Sequence, residues 1–465
     1  MRRAIAIVSF LLISLLPLPL AAQTVETGKI VEGMTCASDP TQTYSLYLPS
    51  RLTPDRKWPL LYVFDPRGRG TLAAERFRAA AETYGWIVIS SNDTRSDGPP
   101  DPNVRAINAL LPEASRYPVD PKRVYLTGFS GGAILAFLIG AANGDGIAGV
   151  IGCGGRFPDG WKRHPVKFAH WGSAGSTDFN NNEMRQIDGF LEKTGSMHRF
   201  EQFEGSHEWM PVALAEDAVA WMELDAMRRG LRERDDAMIE RRWAAELAAA
   251  ESLVSDRDSA ALLRRWKSIE RTFRGLRDVP VATARIMALE AAPAVRTALR
   301  DEKRWDEYET GMIRQMGVAV ATLRHEEAPV AKGRLAAELR IDELRRHESA
   351  TSPYESLASK RVLASMYSQM SFYLFREFVV AGRFDRAALV LEVAETLRPG
   401  TSAVRYNLAC MLAKSGEKSR ALDALEAAVG AGFGDAALMR TDDDLASLRD
   451  EPRFKAALAR IAGAP

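Results

Sequence analysis

The stretch that most constrains this chain is Arg123-Val-Tyr-Leu-Thr-Gly-Phe-Ser-Gly-Gly-Ala-Ile-Leu135. A short strand pattern runs straight into Gly128-Phe129-Ser130-Gly131-Gly132, and the apolar helical run Ala133–Ala142 follows with no linker. A strand that becomes a helix this abruptly sends the helix back across the sheet, so the next strand enters parallel to the first. The same alternation fills the first half of the chain. Pro59–Phe64, Trp86–Ser90, Ala148–Ile151 and Val166–Trp171 read as strands buried on both faces, and Arg199–Phe203 closes the series. Tyr44–Pro49 alternates and ends on proline, which predicts an edge strand. Helical periodicity falls at 72–84, 104–117 and 181–191. The expected class is α/β, a mostly parallel sheet with helices on both faces. Reactive groups in such sheets gather at the carboxyl ends of the strands.

Ser130 sits at the tip of a G-x-S-x-G turn and opens a helix. Free N–H groups of the first helical turn face charge that develops there, so Gly131 N–H is the first candidate oxyanion donor. A serine hydroxyl needs a base to become a nucleophile. Of the six histidines, His325 and His347 lie in the later helical region, and His164 and His198 precede strands. His170 lies within a strand and reads as a core histidine. His207, in Glu204-Gly-Ser-His-Glu-Trp209, follows the last strand and is the expected base. Asp178 follows the preceding strand and a glycine-containing loop, which makes it the expected acid; capping the helix at 181–191 is its alternative role, and Asp159 is a weaker candidate. The order Ser130, Asp178, His207 is one of three known triad orders. The second oxyanion donor is expected in Asp65-Pro66-Arg67-Gly68, where Pro66 has no N–H and Arg67 has one. Phe129 and Trp209 adjoin the triad in sequence and are candidates to line a substrate pocket. This set predicts cleavage of a small or polymeric ester through an acyl-serine, with no metal and no organic cofactor. The same triad cleaves amides, so a serine peptidase is the alternative.

Asp120–Gly132 resembles the nucleophile segment of the polyhydroxybutyrate depolymerase and feruloyl esterase-like branch of secreted α/β-hydrolases. Gly205-Ser-His-Glu-Trp209 is similar to that branch's histidine loop, and Thr177-Asp-Phe-Asn180 to its acid loop. The resemblance covers roughly residues 40–230 and implies an α/β-hydrolase fold with the triad named above. Many members carry His-Gly ahead of the oxyanion loop, where this chain has Asp65-Pro66.

One core seldom grows beyond about 250–300 residues, and the chain has 465. The expected divisions are a signal peptide at 1–22, the hydrolase at 23–230, a helical region of degenerate repeats at 231–366 and tetratricopeptide-like repeats at 367–465. From Leu214 strand signals vanish. Leu374/Leu408, Gly382/Gly416, Ala387/Ala421, Leu391/Leu425 and Ala394/Ala428 recur at the tetratricopeptide period of about 34 residues. Stacked helix pairs present concave surfaces that suit a protein or peptide partner. The alternatives are a stabilising extension or a dimerisation arm, or a partner-binding protein with an auxiliary hydrolase. A net charge of +1 removes the electrostatic case for nucleic-acid binding. Met1-Arg-Arg3, an apolar run to Leu20 and Ala21-Ala22 describe a secretory signal cleaved near Ala22, which predicts a periplasmic or secreted protein. No later segment is apolar enough to span a membrane. Cys36, Cys153 and Cys410 read as buried free thiols, with Cys36–Cys153 the one pair available for a bridge inside the first domain.

Overall fold

Every residue of Trp58–Phe64 is buried, which explains why that strand carries no polar alternation. Leu60, Tyr62 and Phe64 enter one core cluster while Leu61 and Val63 enter another, as the two-residue period of a strand requires. A computed structural model describes residues 25–99, 101–156, 158, 164–253 and 259–462. The signal segment 1–22 and Asp159 lie outside the described residues. The chain divides into two compact units, residues 1–300 and 301–465.

The first unit is built on an eight-stranded sheet. Its strands are β1 (Ile30–Thr35), β2 (Thr43–Tyr47), β3 (Trp58–Phe64), β4 (Ile87–Ser91), β5 (Val119–Phe129), β6 (Gly149–Cys153), β7 (Ala169–Gly175) and β8 (His198–Phe203), in the order β1-β2-β4-β3-β5-β6-β7-β8. β1, β2 and β4 pair antiparallel; every pair from β4 through β3 to β8 is parallel. The helices are α1 (Gly70–Tyr84), α2 (Asp101–Leu110), α3 (Gly131–Asn143), α4 (Asn181–Thr194) and α5 (Val212–Arg228). Residues of α2, α3 and α4 pack on one face of the sheet, and those of α1 and α5 on the other. This is the α/β-hydrolase arrangement. The strand expected at the edge, β2, is second from it: β1 covers it, and Tyr44–Tyr47 are buried. β1 mixes Glu32 and Gly33 among apolar residues and is bulged between Val31 and Met34, so it shows no period in the sequence.

Helices α6 (Asp236–Glu251), α7 (Ser259–Phe273) and α8 (Pro280–Ala291) belong to the same unit as the sheet. Ala220, Leu224 and Met227 of α5 share a core with Trp243, Trp266 and Phe273. Buried Arg199 of β8 binds Glu246 of α6 with both nitrogens, at 2.9 and 3.2 Å. The compact division falls at residue 300.

The second unit is helical. Its repeated segment forms two helix–turn–helix pairs, α13 (Leu374–Val380) with α14 (Phe384–Leu397) and α15 (Ser402–Lys414) with α16 (Lys418–Gly430); α10 (Lys332–Glu338), α11 (Ile341–Glu348), α12 (Pro353–Ser368) and the part of α9 (Pro293–His325) from residue 301 onward precede them. Gly382 and Gly416 take left-handed φ of 70° and 81° at the two turns, where a Cβ is disfavoured. Ala387, Ala394, Ala421 and Ala428 are fully buried, consistent with helices in close approach. No helix among the described residues is long and apolar enough to cross a membrane. Cys36, Cys153 and Cys410 are buried free thiols.

Candidate active site

The parallel register brings the ends of β3, β5, β6, β7 and β8 to one edge, and the loops that follow them meet there. Ser130 leaves β5 with φ 52° and ψ −121°, a strained conformation for a residue with a side chain. Both flanking glycines are required by space. A Cβ on Gly128 would lie 2.2 Å from the Gly132 carbonyl, and one on Gly132 would lie 2.0 Å from the Phe64 carbonyl oxygen. The turn is pinned by Ser130 N–H donating to the Cys153 carbonyl at 2.9 Å.

The structure brings Ser130, His207 and Asp178 into one hydrogen-bonded line. His207 Nε2 is 2.9 Å from Ser130 Oγ, and His207 Nδ1 is 2.9 Å from Asp178 Oδ1. Asp178 is fully buried, while the His207 side chain is 21% exposed, enough to meet a substrate. Asp178 Oδ1 also accepts Asn180 N–H at 2.8 Å, and Asn180 Nδ2 donates to the Gly154 carbonyl at 2.7 Å. The acid loop is thus tied to the end of β6. The imidazole packs against two phenyl rings, Phe129 at 4.6 Å and Phe179 at 4.2 Å between centroids.

Three of the expected residues have partners that their sequence positions do not show. Arg67 N–H donates to Asp65 Oδ1 at 2.8 Å, so this amide already has a partner and does not face an oxyanion. Trp209 is 5% exposed; its indole N–H donates to Asp65 Oδ2 at 2.8 Å and its ring packs beside Phe129 and Phe77. It anchors the histidine loop from within the core. Phe129 is 7% exposed and lies against His207 and Trp209, so its ring packs beside the imidazole. Phe179 was missed, although it directly follows Asp178 in the sequence.

Asp65 explains why the histidine loop holds its place. Burial pushes its carboxyl up, but hydrogen bonds from Arg69, Trp209 and the Arg67 amide outweigh this and hold it below the usual carboxylate range. Cys153 fastens the same loop: Met210 N–H donates to its Sγ at 3.2 Å, and its thiol reaches the Glu208 carbonyl at 3.4 Å. Burial pushes the Cys153 thiol up to about 12, so it stays protonated at neutral pH.

Other polar clusters look structural. A cavity of about 500 Å³ lies where β7 and β8 begin, at the edge opposite the triad. Its arginines face carboxylates: Arg228 and Arg229 share Asp225, Arg271 is 3.6 Å from Glu192, and Arg274 pairs with Glu270. In the second unit Cys410, Asp442 and Asp444 come within 4.8 Å of one another. Burial, and then Asp442, raise the Cys410 thiol well above its ordinary value, and Asp442 already accepts from Tyr406 and from the Asp444 amide, so this set is poorly suited to a metal ion.

No family model and no curated protein matches this chain. Among solved structures it is similar to a thermostable esterase, at 17% identity and TM-score 0.34, over 42% of this chain and 62% of that one. The match thus spans less than two thirds of that esterase's length. It is also similar to FphF, a fluorophosphonate-binding serine hydrolase of Staphylococcus aureus (14% identity, TM-score 0.35, 42% of this chain and 99% of that one), and to a ferulic acid esterase (16%, 0.35, 42% and 96%).

Proposed function

We propose that this protein is a serine hydrolase that cleaves carboxylic esters through an acyl-Ser130 intermediate. The observation that carries the reading is the unbroken line Ser130 Oγ, His207 Nε2, His207 Nδ1, Asp178 Oδ1, with 2.9 Å at each hydrogen bond. His207 takes the Ser130 proton as the hydroxyl oxygen attacks the acyl carbon, and returns it to the leaving alcohol. Asp178 holds Nδ1–H, fixes the tautomer and stabilises the imidazolium. Gly131 N–H, at the start of α3, donates to the oxyanion. Water then repeats the sequence on the acyl-enzyme.

The substrate is a small or polymeric ester of the kind taken by the branch that Asp120–Gly132 resembles. We assign the paired helices of 374–430 to docking of a protein or peptide, on the strength of their tetratricopeptide-like period, and the N-terminal segment to export. The test of the hydrolase is turnover of p-nitrophenyl acetate, butyrate and octanoate and of a feruloyl ester by the protein and by Ser130→Ala. Ester turnover that disappears in the variant supports the reading; turnover that persists rejects Ser130.

A further inference from the structure

With Arg67 N–H bound to Asp65, the proposed oxyanion has Gly131 N–H as its donor and needs another. The loop after β4 supplies one. It is fastened to the loop after β3: Ser96 N–H donates to the Pro66 carbonyl at 2.9 Å, and Arg67 and Arg95 form a short antiparallel bridge. Asn103 clamps Arg95, accepting its N–H at 2.8 Å and donating to its carbonyl at 2.6 Å. These bonds press Ser96 against the nucleophile turn. A Cβ on Gly131 would stand 2.6 Å from Ser96 Cβ and 2.7 Å from Ser96 Oγ. With bonds of about 1.5 Å along N–Cα–Cβ, the Ser96 hydroxyl is then within about 5 Å of the Gly131 nitrogen. Two donors that share one oxygen, each about 2.9 Å from it, can stand up to nearly 6 Å apart. Among the described residues the hydroxyl's one hydrogen-bond contact is long, 3.5 Å to Pro66 O, so its proton is available. Asp97, next in the chain, holds φ 62°, a left-handed conformation that the loop imposes beside this site.

We propose that Ser96 Oγ–H is the second oxyanion donor; the inference rests on the ester-hydrolase reading above. As the Ser130 Oγ–carbon bond forms, the Ser130 proton passes to His207 Nε2 and the carbonyl π pair moves onto oxygen. Gly131 N–H and Ser96 O–H both donate to that oxygen. When the pair returns, the alkoxide leaves with the proton from His207. Position 131 is glycine because any side chain there would displace Ser96.

The test uses the full chain with p-nitrophenyl acetate and compares Ser96→Ala, Ser96→Thr and Ser130→Ala. Ser96→Ala is expected to lower kcat by about 100-fold with KM within about twofold, and Ser96→Thr, which keeps the hydroxyl, to recover most of it. The thermal midpoint of Ser96→Ala should match that of the parent. Wild-type kcat in Ser96→Ala, with Ser130→Ala inactive, would overturn the Ser96 assignment and leave the esterase standing. A lost kcat that follows a lowered midpoint and is not recovered by threonine would also overturn it. If the parent shows neither Ser130-dependent turnover nor fluorophosphonate labelling, both readings fall.

Discussion

Gly154→Ala tests how tightly the acid is held. Gly154 directly follows β6 with φ 54°. A methyl there would lie 2.7 Å from Asp178 Oδ2, 3.0 Å from Phe129 Cε2 and 3.4 Å from His207 Cε1. Asp178 Oδ2 is buried with no hydrogen-bond partner among the described residues, so no bond holds that oxygen against the push. It must retreat by about 0.7 Å to reach ordinary van der Waals contact, and Oδ1 moves with it, away from His207 Nδ1. A displacement approaching 1 Å at a reacting constellation costs up to about 100-fold, so kcat should fall by about 10- to 100-fold. The left-handed φ adds about 1–2 kcal/mol of destabilisation in its own right. Gly195→Ala separates the two effects: Gly195 has φ 69° and open space where its Cβ would go. It should lose about the same stability in urea unfolding and keep its kcat. The assay is kcat for p-nitrophenyl acetate beside urea unfolding of both variants. Undiminished kcat in Gly154→Ala, or an equal loss in Gly195→Ala, would refute the reasoning.

Two further outcomes follow from buried polar groups. Trp209→Phe keeps an aromatic ring beside Phe129 and Phe77 but removes the 2.8 Å bond to Asp65. A hydrogen bond to a buried carboxylate contributes about 1.5–3 kcal/mol, so urea unfolding should show a loss of that size; an unchanged midpoint would contradict the anchoring role. His170 is buried in β7, and burial lowers its imidazole from 6.5 to about 4. The unfolded chain therefore takes up this proton near pH 6.5 while the folded chain refuses it until about pH 4. Stability should fall as pH drops through that window, by about 3 kcal/mol in full. His170→Gln should unfold with a shallower dependence between pH 7 and 4.5, and equal slopes in the two proteins would count against this account.

Much of the first unit is legible in the sequence because parallel strands buried on both faces leave unbroken apolar runs, as at Pro59–Phe64. The triad residues could be picked out because each follows a strand end in a known chain order. Side-chain direction is another matter. Phe129 and Trp209 neighbour the triad along the chain, yet both point into the core, and sequence adjacency carries no such information. The Arg67 amide was lost to local competition: Asp65 accepts the N–H two residues on, an aspartate turn that Asp-Pro-Arg-Gly favours. Ser96 was invisible because its place depends on two loops pairing across the sheet edge. Helices α6 to α8 resemble the later helices in composition, and the Arg199–Glu246 pair that ties α6 to the sheet links residues 47 positions apart.

The most direct measurement is trapping of the acyl-enzyme. The full-length protein is mixed with p-nitrophenyl acetate, quenched in acid and mapped by peptide mass spectrometry. The account predicts an acetyl group on the peptide that carries Ser130, absent from Ser130→Ala and sparse in His207→Ala. Ester turnover with the acetyl group on another residue, or an adduct that survives in Ser130→Ala, would contradict it.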